Sequence, residues 1–174
     1  GAIWLGLAAA LHRRNAVWES AVALWSDAAA KAPDKPRVRL GLGNALLARG
    51  DHAAAIAHYQ HGLSRLREGA VEAEAPLRKN LGVALVRAGR PAEALAPLRR
   101  AAELLSQDPE AAAGLAVALL ATGDLDEAEL EAARALVLSP GHALATRVLL
   151  LADEERVRRA AQGPEGGAAP ASRP

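Results

Sequence analysis

The 174-residue chain contains no cysteine, no methionine and no phenylalanine, and its aromatic residues are one tyrosine and three tryptophans. Without cysteine there is no disulfide framework, no thiolate metal site and no cysteine nucleophile, and the redox compartment stays open. So few stacking side chains, on a chain of net charge +1, tell against nucleic acid, since helical-repeat binders of RNA need a basic surface with base-reading or stacking residues. Long apolar runs are scarce as well. "GAIWLGLAAAL" ends at His12, Arg13 and Arg14 after eleven residues, whereas a bilayer span needs about 20. No basic segment precedes it as a secretory signal requires. This stretch is either a soluble helix or the trailing end of a membrane helix that begins upstream of Gly1, and no other part of the chain is a candidate span.

What is present is alanine, leucine and arginine. With 51% of residues apolar, the chain can bury a substantial interior as one domain or one elongated array. Arginine outnumbers lysine eighteen to three, the three being Lys31, Lys35 and Lys79, a bias associated with GC-rich bacterial genomes. The small net charge hides an asymmetry. Residues 1–87 carry twelve cations against seven anions, and the remainder nine against thirteen, so one end attracts anions and the other repels them.

"LGVALVRAGRPAEALAPLRRAA", starting at Leu81, has two siblings: "LGNALLARGDHAAAIAHYQHGL" from Leu42 and "LAVALLATGDLDEAELEAARAL" from Leu115. Leu81 and Leu115 lie 34 residues apart, a period that with two helices per unit marks a solenoid. Each first helix has an apolar stripe (Leu42, Leu46; Leu81, Leu85; Leu115, Leu119) and a small residue after the leading leucine (Gly43, Gly82, Ala116), which leaves room for the second helix. Gly50, Gly89 and Gly123 stand where a helix C-terminus prefers positive φ. Asp51 and Asp124 are candidate N-caps, Glu127 completes a capping-box spacing with Asp124, and Pro91 suits a first helical turn. Pro97, inside a second helix, predicts a kink or a loosened turn at the Glu93 carbonyl.

These features resemble the tetratricopeptide repeat, with its leucine and small residue on helix A, glycine turn, and alanines, aromatic and closing proline on helix B. Ala21, Trp25, Ala28 and Pro33 carry the resemblance into a degenerate first unit, while Arg67 and Ser106 stand where proline is usual. The expected fold is an all-α right-handed α-solenoid of about four units, at 2–35, 36–69, 75–108 and 109–142, with the insertion Ala70 to Glu74 between the second and third. A capping helix with a polar outer face follows at 143–161, then a disordered Gly/Ala/Pro tail at 162–174.

In such an array the concave face, lined by helix A residues, is the surface shaped to bind. The resemblance places Arg37, Asn44, Leu47, Lys79, Asn80, Val83, Val86 and Arg87 there, then Ala113, Val117, Leu120 and Ala121. Arg37, Asn44, Lys79, Asn80, Val83, Arg87 and Val117 are the candidate peptide-binding residues. Cations and amides together suit an extended acidic or C-terminal peptide. Some chaperone-binding tetratricopeptide domains hold a terminal carboxylate with Lys, Asn, Asn, Lys and Arg. Asn44 and Asn80 match the amides, but Leu40, Glu110 and Gly114 replace the cations, which disfavours a cochaperone role.

His58 and His61 share a helical face at i and i+3, but two imidazoles without a placed carboxylate or thiolate make a poor metal site. No nucleophile elbow, phosphate loop or HExxH occurs, so neither catalysis nor a metal or cofactor is expected. The partner is a protein or peptide. A second resemblance, in Arg14, Asn15, Trp18, Leu24, Trp25, Asp27, Pro33 and Arg37, is to the junction of bacterial glycosyltransferase-like membrane proteins with tetratricopeptide tails. It implies a non-catalytic tail attached to a membrane through upstream sequence, with the repeats outside the cytoplasm; without it a cytoplasmic scaffold is expected.

Overall fold

The computed structural model describes residues 21–162. Trp4, Trp18, the apolar opening and nearly all of the Gly/Ala/Pro tail lie outside the described residues. Eight helices follow in order: α1 (Ala21–Lys31), α2 (Pro36–Ala48), α3 (His52–Ser64), α4 (Val71–Arg87), α5 (Pro91–Leu104), α6 (Pro109–Thr122), α7 (Leu125–Leu138) and α8 (Ala143–Ala161). There is no strand among the described residues. The chain is an all-α solenoid of helix pairs.

The turns form as the glycines predict. Gly50, Gly89 and Gly123 have φ of 87°, 74° and 89°. Beyond each of them the next amide donates back to the helix, Asp51 to the Leu46 carbonyl at 2.9 Å, Arg90 to Leu85 at 2.9 Å and Asp124 to Leu119 at 3.0 Å. This closure satisfies carbonyls that a helix end leaves open and aims the chain back along itself.

Packing between helices then sets the curvature. First helices touch along the array, α2 with α4, α4 with α6 and α6 with α8, and each second helix packs on the first helix of the next pair. Among the described residues the second helices do not approach one another closely along their backbones and meet only through long side chains such as Arg99 with Glu127 and Arg134 with the Ala102 carbonyl. The inner layer is therefore shoulder to shoulder while the outer layer fans apart, which places α2, α4, α6 and α8 on the inside of an arc.

Glycine notches hold the pairs together. A Cβ on Gly43 would lie 2.4 Å from the Tyr59 ring, one on Gly82 2.2 Å from Leu98 Cγ, and one on Gly41 2.4 Å from the Trp25 ring. Tyr59, Leu77, Leu98, Leu119 and Val148 are the largest fully buried side chains, set among alanines that let the helix axes approach.

Two expectations need correction, the capping box and the polar face of α8. Asp51 caps α3 through the Ala54 amide at 3.3 Å, but Asp124 makes no side-chain cap, and Glu127 turns away from a capping box to take Arg99, one arm at 2.7 Å. Inter-helix charge pairing wins over the local motif there. Helix α5 continues past Pro97, which is buried in the core, and the Glu93 carbonyl goes without the i+4 donor that proline lacks. The insertion is helical, since α4 starts at Val71 and gains an extra N-terminal turn. The outer face of α8 is not wholly polar, since Leu150 and Val157 are 61% and 64% exposed. Leu150 occupies the register position of Gly43, Gly82 and Ala116, where a following second helix would pack, and its side chain fills the notch.

Two ties that sequence spacing did not reveal join the units. Lys79 Nζ donates to Asp108 Oδ2 at 2.6 Å while Asp108 Oδ1 caps α6 through the Glu110 amide at 2.9 Å. Arg134 Nη2 donates to the carbonyls of Ala102 (3.2 Å) and Ser106 (3.0 Å), bridging the turn where a closing proline is missing. Burial pushes the Asp108 carboxyl up, but Lys79 and the Glu110 and Ala111 amides outweigh it and hold the carboxyl below its ordinary value. The carboxylate thus adds stability that is present above the ordinary aspartate pKa of about 3.9 and lost as pH falls below it. Asp108→Asn is expected to lower the urea midpoint at pH 6 and to flatten the wild-type decline between about pH 5 and pH 3. An unchanged decline would assign the acid sensitivity to other carboxylates.

Candidate functional site

The concave wall of α2 and α4 is organised by one side chain from behind it. The ring of Tyr59, on α3, is fully buried in the Gly43 notch, yet its hydroxyl reaches α2 and donates to Asn44 Oδ1 at 2.8 Å. The same oxygen accepts from Asn80 Nδ2, on α4, at 2.7 Å. Burial raises the Tyr59 hydroxyl pKa well above normal, with the nearby Arg87 charge acting the opposite way, so the hydroxyl stays a donor across the ordinary pH range.

This junction settles what the two amides have left to offer. With Asn44 Oδ1 taking two donors, the Asn44 Nδ2 donors and the Asn80 Oδ1 acceptor have no partner among the described residues. One donor and one acceptor side by side can pair with a single peptide unit of a guest strand. Arg37 and Arg87 are exposed and make no ion pair or hydrogen bond among the described residues, so both cations are available. Lys79 is not, being tied to Asp108. Val83 and Val117 are half-buried and supply apolar wall, as do Leu47, Val86 and Leu120. Ala113 is fully buried; packing of first helix on first helix covers it, and it does not line the face.

Two grooves are cut into this wall. One, of about 330 Å3, lies between the start of α2 and the extra turn of α4 and is lined by Pro36, Arg37, Leu40, Glu72, Ala73 and Pro76. The other, of about 620 Å3, runs between α6 and α8 beside Leu120, Leu151 and Arg158. The Tyr59 contact to Asn44 and the whole first groove were missed from sequence. Asp108 was legible, since an Asp before Pro109 has the form of an N-cap followed by a proline at N1.

The histidines are engaged separately. His58 Nδ1 accepts from Arg39 Nη1 at 3.2 Å, and burial, with the Arg39 charge and then His61, lowers its pKa and keeps the ring neutral. His61 Nε2 lies 3.2 Å from Asp34 Oδ1. Among the described residues no three His, Cys, Asp or Glu side chains converge as a metal site, and no helix is long and apolar enough to cross a membrane.

Two tetratricopeptide-repeat family models match the chain, over residues 34–107 and 79–143. The glycosyltransferase-like junction pattern, from Arg14 to Arg37, falls almost wholly outside both. No curated protein matches the sequence significantly. Among solved structures, the chain is similar to YrrB, described as a TPR protein with an unusual peptide-binding site, at 27% identity over 88% of this chain and 76% of that one, TM-score 0.68. It is similar to the first TPR of Spaghetti (RPAP3) bound to an HSP90 peptide, at 24% identity over 71% and 94%, TM-score 0.64. It also matches a chain of the APC/C hetero-tetramer Cut9-Hcn1 at 21% identity and TM-score 0.68, covering 74% of this chain but 25% of that one.

Proposed function

Since the chain belongs to the tetratricopeptide-repeat family, we propose that it is a protein-interaction scaffold whose concave wall at α2 and α4 holds an extended peptide. The observation that carries this reading is the Asn44 and Asn80 pair, whose shared oxygen orients a free donor and a free acceptor side by side. Arg37 and Arg87 flank them and favour acidic side chains on the guest. Val83 and Val117 add apolar contact, and Lys79 contributes by bracing α4 against α6 rather than by touching the guest. The peptide-binding site described for YrrB and the HSP90-peptide complex of Spaghetti support a peptide as the kind of partner for this fold. Leu40, Glu110 and Gly114 at the carboxylate-clamp cation positions tell against the chaperone C-terminus as the guest. Glu110 sits 3.2 Å from His142 Nε2 and would repel a carboxylate. We assign the chain no catalytic residue and no cofactor, with its units divided as the 34-residue spacing divides them.

Asn44→Ala removes the shared oxygen and the free donors together. It is expected to weaken binding of a captured peptide about tenfold, the equivalent of 1.4 kcal/mol, in a fluorescence anisotropy titration. Asn44 is exposed, so the melting temperature should move by only a few degrees. Retained affinity would remove the amide pair from the site.

A further inference from the structure

The groove between α2 and α4 has a shape that the regular repeat does not produce. Helix α4 starts four residues before the register start at Ala75, and the added turn carries Glu72 and Ala73 over the start of α2. Its floor is apolar and stiff, made by the two proline rings of Pro36 and Pro76 with Leu40 and Ala73. Arg37 and Glu72 stand at its sides, both exposed, and neither makes an ion pair among the described residues.

Pro76 adds a polar element to that floor. It lies inside α4 and has no N–H, so the carbonyl four residues earlier, that of Glu72, cannot receive its helical hydrogen bond from position 76. A helix carbonyl without its i+4 donor keeps acceptor capacity, and Glu72 is one of the residues that line the groove. Glu72 and Ala73 belong to the insertion, and Pro76 to the start of the unit that follows it.

We propose that this groove is a subsite for one apolar residue of the bound peptide. That residue's side chain rests on Pro36, Leu40 and Pro76, its backbone N–H donates to the Glu72 carbonyl, and an adjacent carboxylate pairs with Arg37. The Glu72 carboxylate sets the specificity, because it disfavours a second acidic residue beside the first. The preferred step is thus apolar followed or preceded by a single Asp or Glu. This inference rests on the concave-wall reading above and adds the chemistry of one position on the guest.

The test is selection of a displayed random nonapeptide library on the immobilised 174-residue chain, followed by anisotropy titration of the enriched peptides against the wild type and four variants. Enriched sequences are expected to carry an apolar residue beside one acidic residue. Arg37→Ala is expected to lower their affinity at least tenfold. Pro76→Ala, which returns an N–H to the Glu72 carbonyl, is expected to lower it about threefold while raising the melting temperature. Glu72→Gln is expected to raise affinity for peptides with two adjacent acidic residues. Peptides that lose affinity with Asn44→Ala but stay within twofold of wild type with Arg37→Ala and Pro76→Ala would overturn the subsite and leave the amide-pair reading standing. The reverse pattern would overturn the amide pair and keep the groove. Absence of any enriched peptide would overturn both.

Discussion

Leu98→Ala is expected to cost about 2–5 kcal/mol, the range for emptying a fully buried leucine site, and to lower the melting temperature by on the order of 10 °C. Leu98 is fully buried, and its Cγ would lie 2.2 Å from a Cβ on Gly82. Gly82→Ala approaches the same contact from the other side. It gains about 1 kcal/mol of helix propensity and loses about 1–3 kcal/mol by overpacking against Leu98. The double variant Gly82→Ala with Leu98→Ala places the new methyl where the leucine was. Its cost is expected to fall below the sum of the single costs by about 1–2 kcal/mol, as coupled neighbours require. Chemical denaturation of the four proteins checks this, and simple additivity would mean that the notch is not the contact that sets the spacing of α4 and α5.

Val148→Asp is the second large effect, and it acts on the end of the array. Helix α8 buries only Ala145, Val148 and Ala152, and Val148 is the one large side chain among them. His142 helps by accepting the Ala145 amide at 3.3 Å while its other nitrogen meets Glu110. A carboxylate at position 148 would be buried without a partner, at a cost of about 3–5 kcal/mol. Detaching α8 avoids that cost, so the helix is expected to leave rather than hold the charge. Hydrogen exchange should then accelerate through α8 and the newly uncovered faces of α6 and α7, while α2 and α3 keep their protection, because repeats lean only on their neighbours. Uniform loss of protection along the chain would instead show the described helices unfolding as one cooperative unit.

The two variants probe parts of the molecule that differ in how readable they were. Gly82 and Gly43 announced themselves by recurring after a leading leucine, and the structure puts Leu98 and Tyr59 into the notches. Gly50, Gly89 and Gly123 were legible for a stronger reason, since positive φ at a helix end is a property of one residue and its two neighbours. Glu127 misled because the capping box is worth no more than competing pairs of similar strength, and Arg99 lies within reach once α5 and α7 flank each other. Lys79 and Arg87 looked alike in the sequence, as cations on the same helix. One of them is committed to Asp108 and the other makes no ion pair or hydrogen bond among the described residues.

The periods of leucine, small residue and glycine, all local in range, were enough to specify helix, turn and helix, and through them a solenoid with an inner wall. Which polar groups on that wall remain unspent was decided only when the units stacked. Asn44 meets Asn80 at a separation of 36 residues and Lys79 meets Asp108 at 29, and neither distance follows from a helical period. They follow from how first helices stack, α2 against α4 and α4 against α6. Those offsets are set by packing volume summed over the whole array, which no short stretch of the chain encodes.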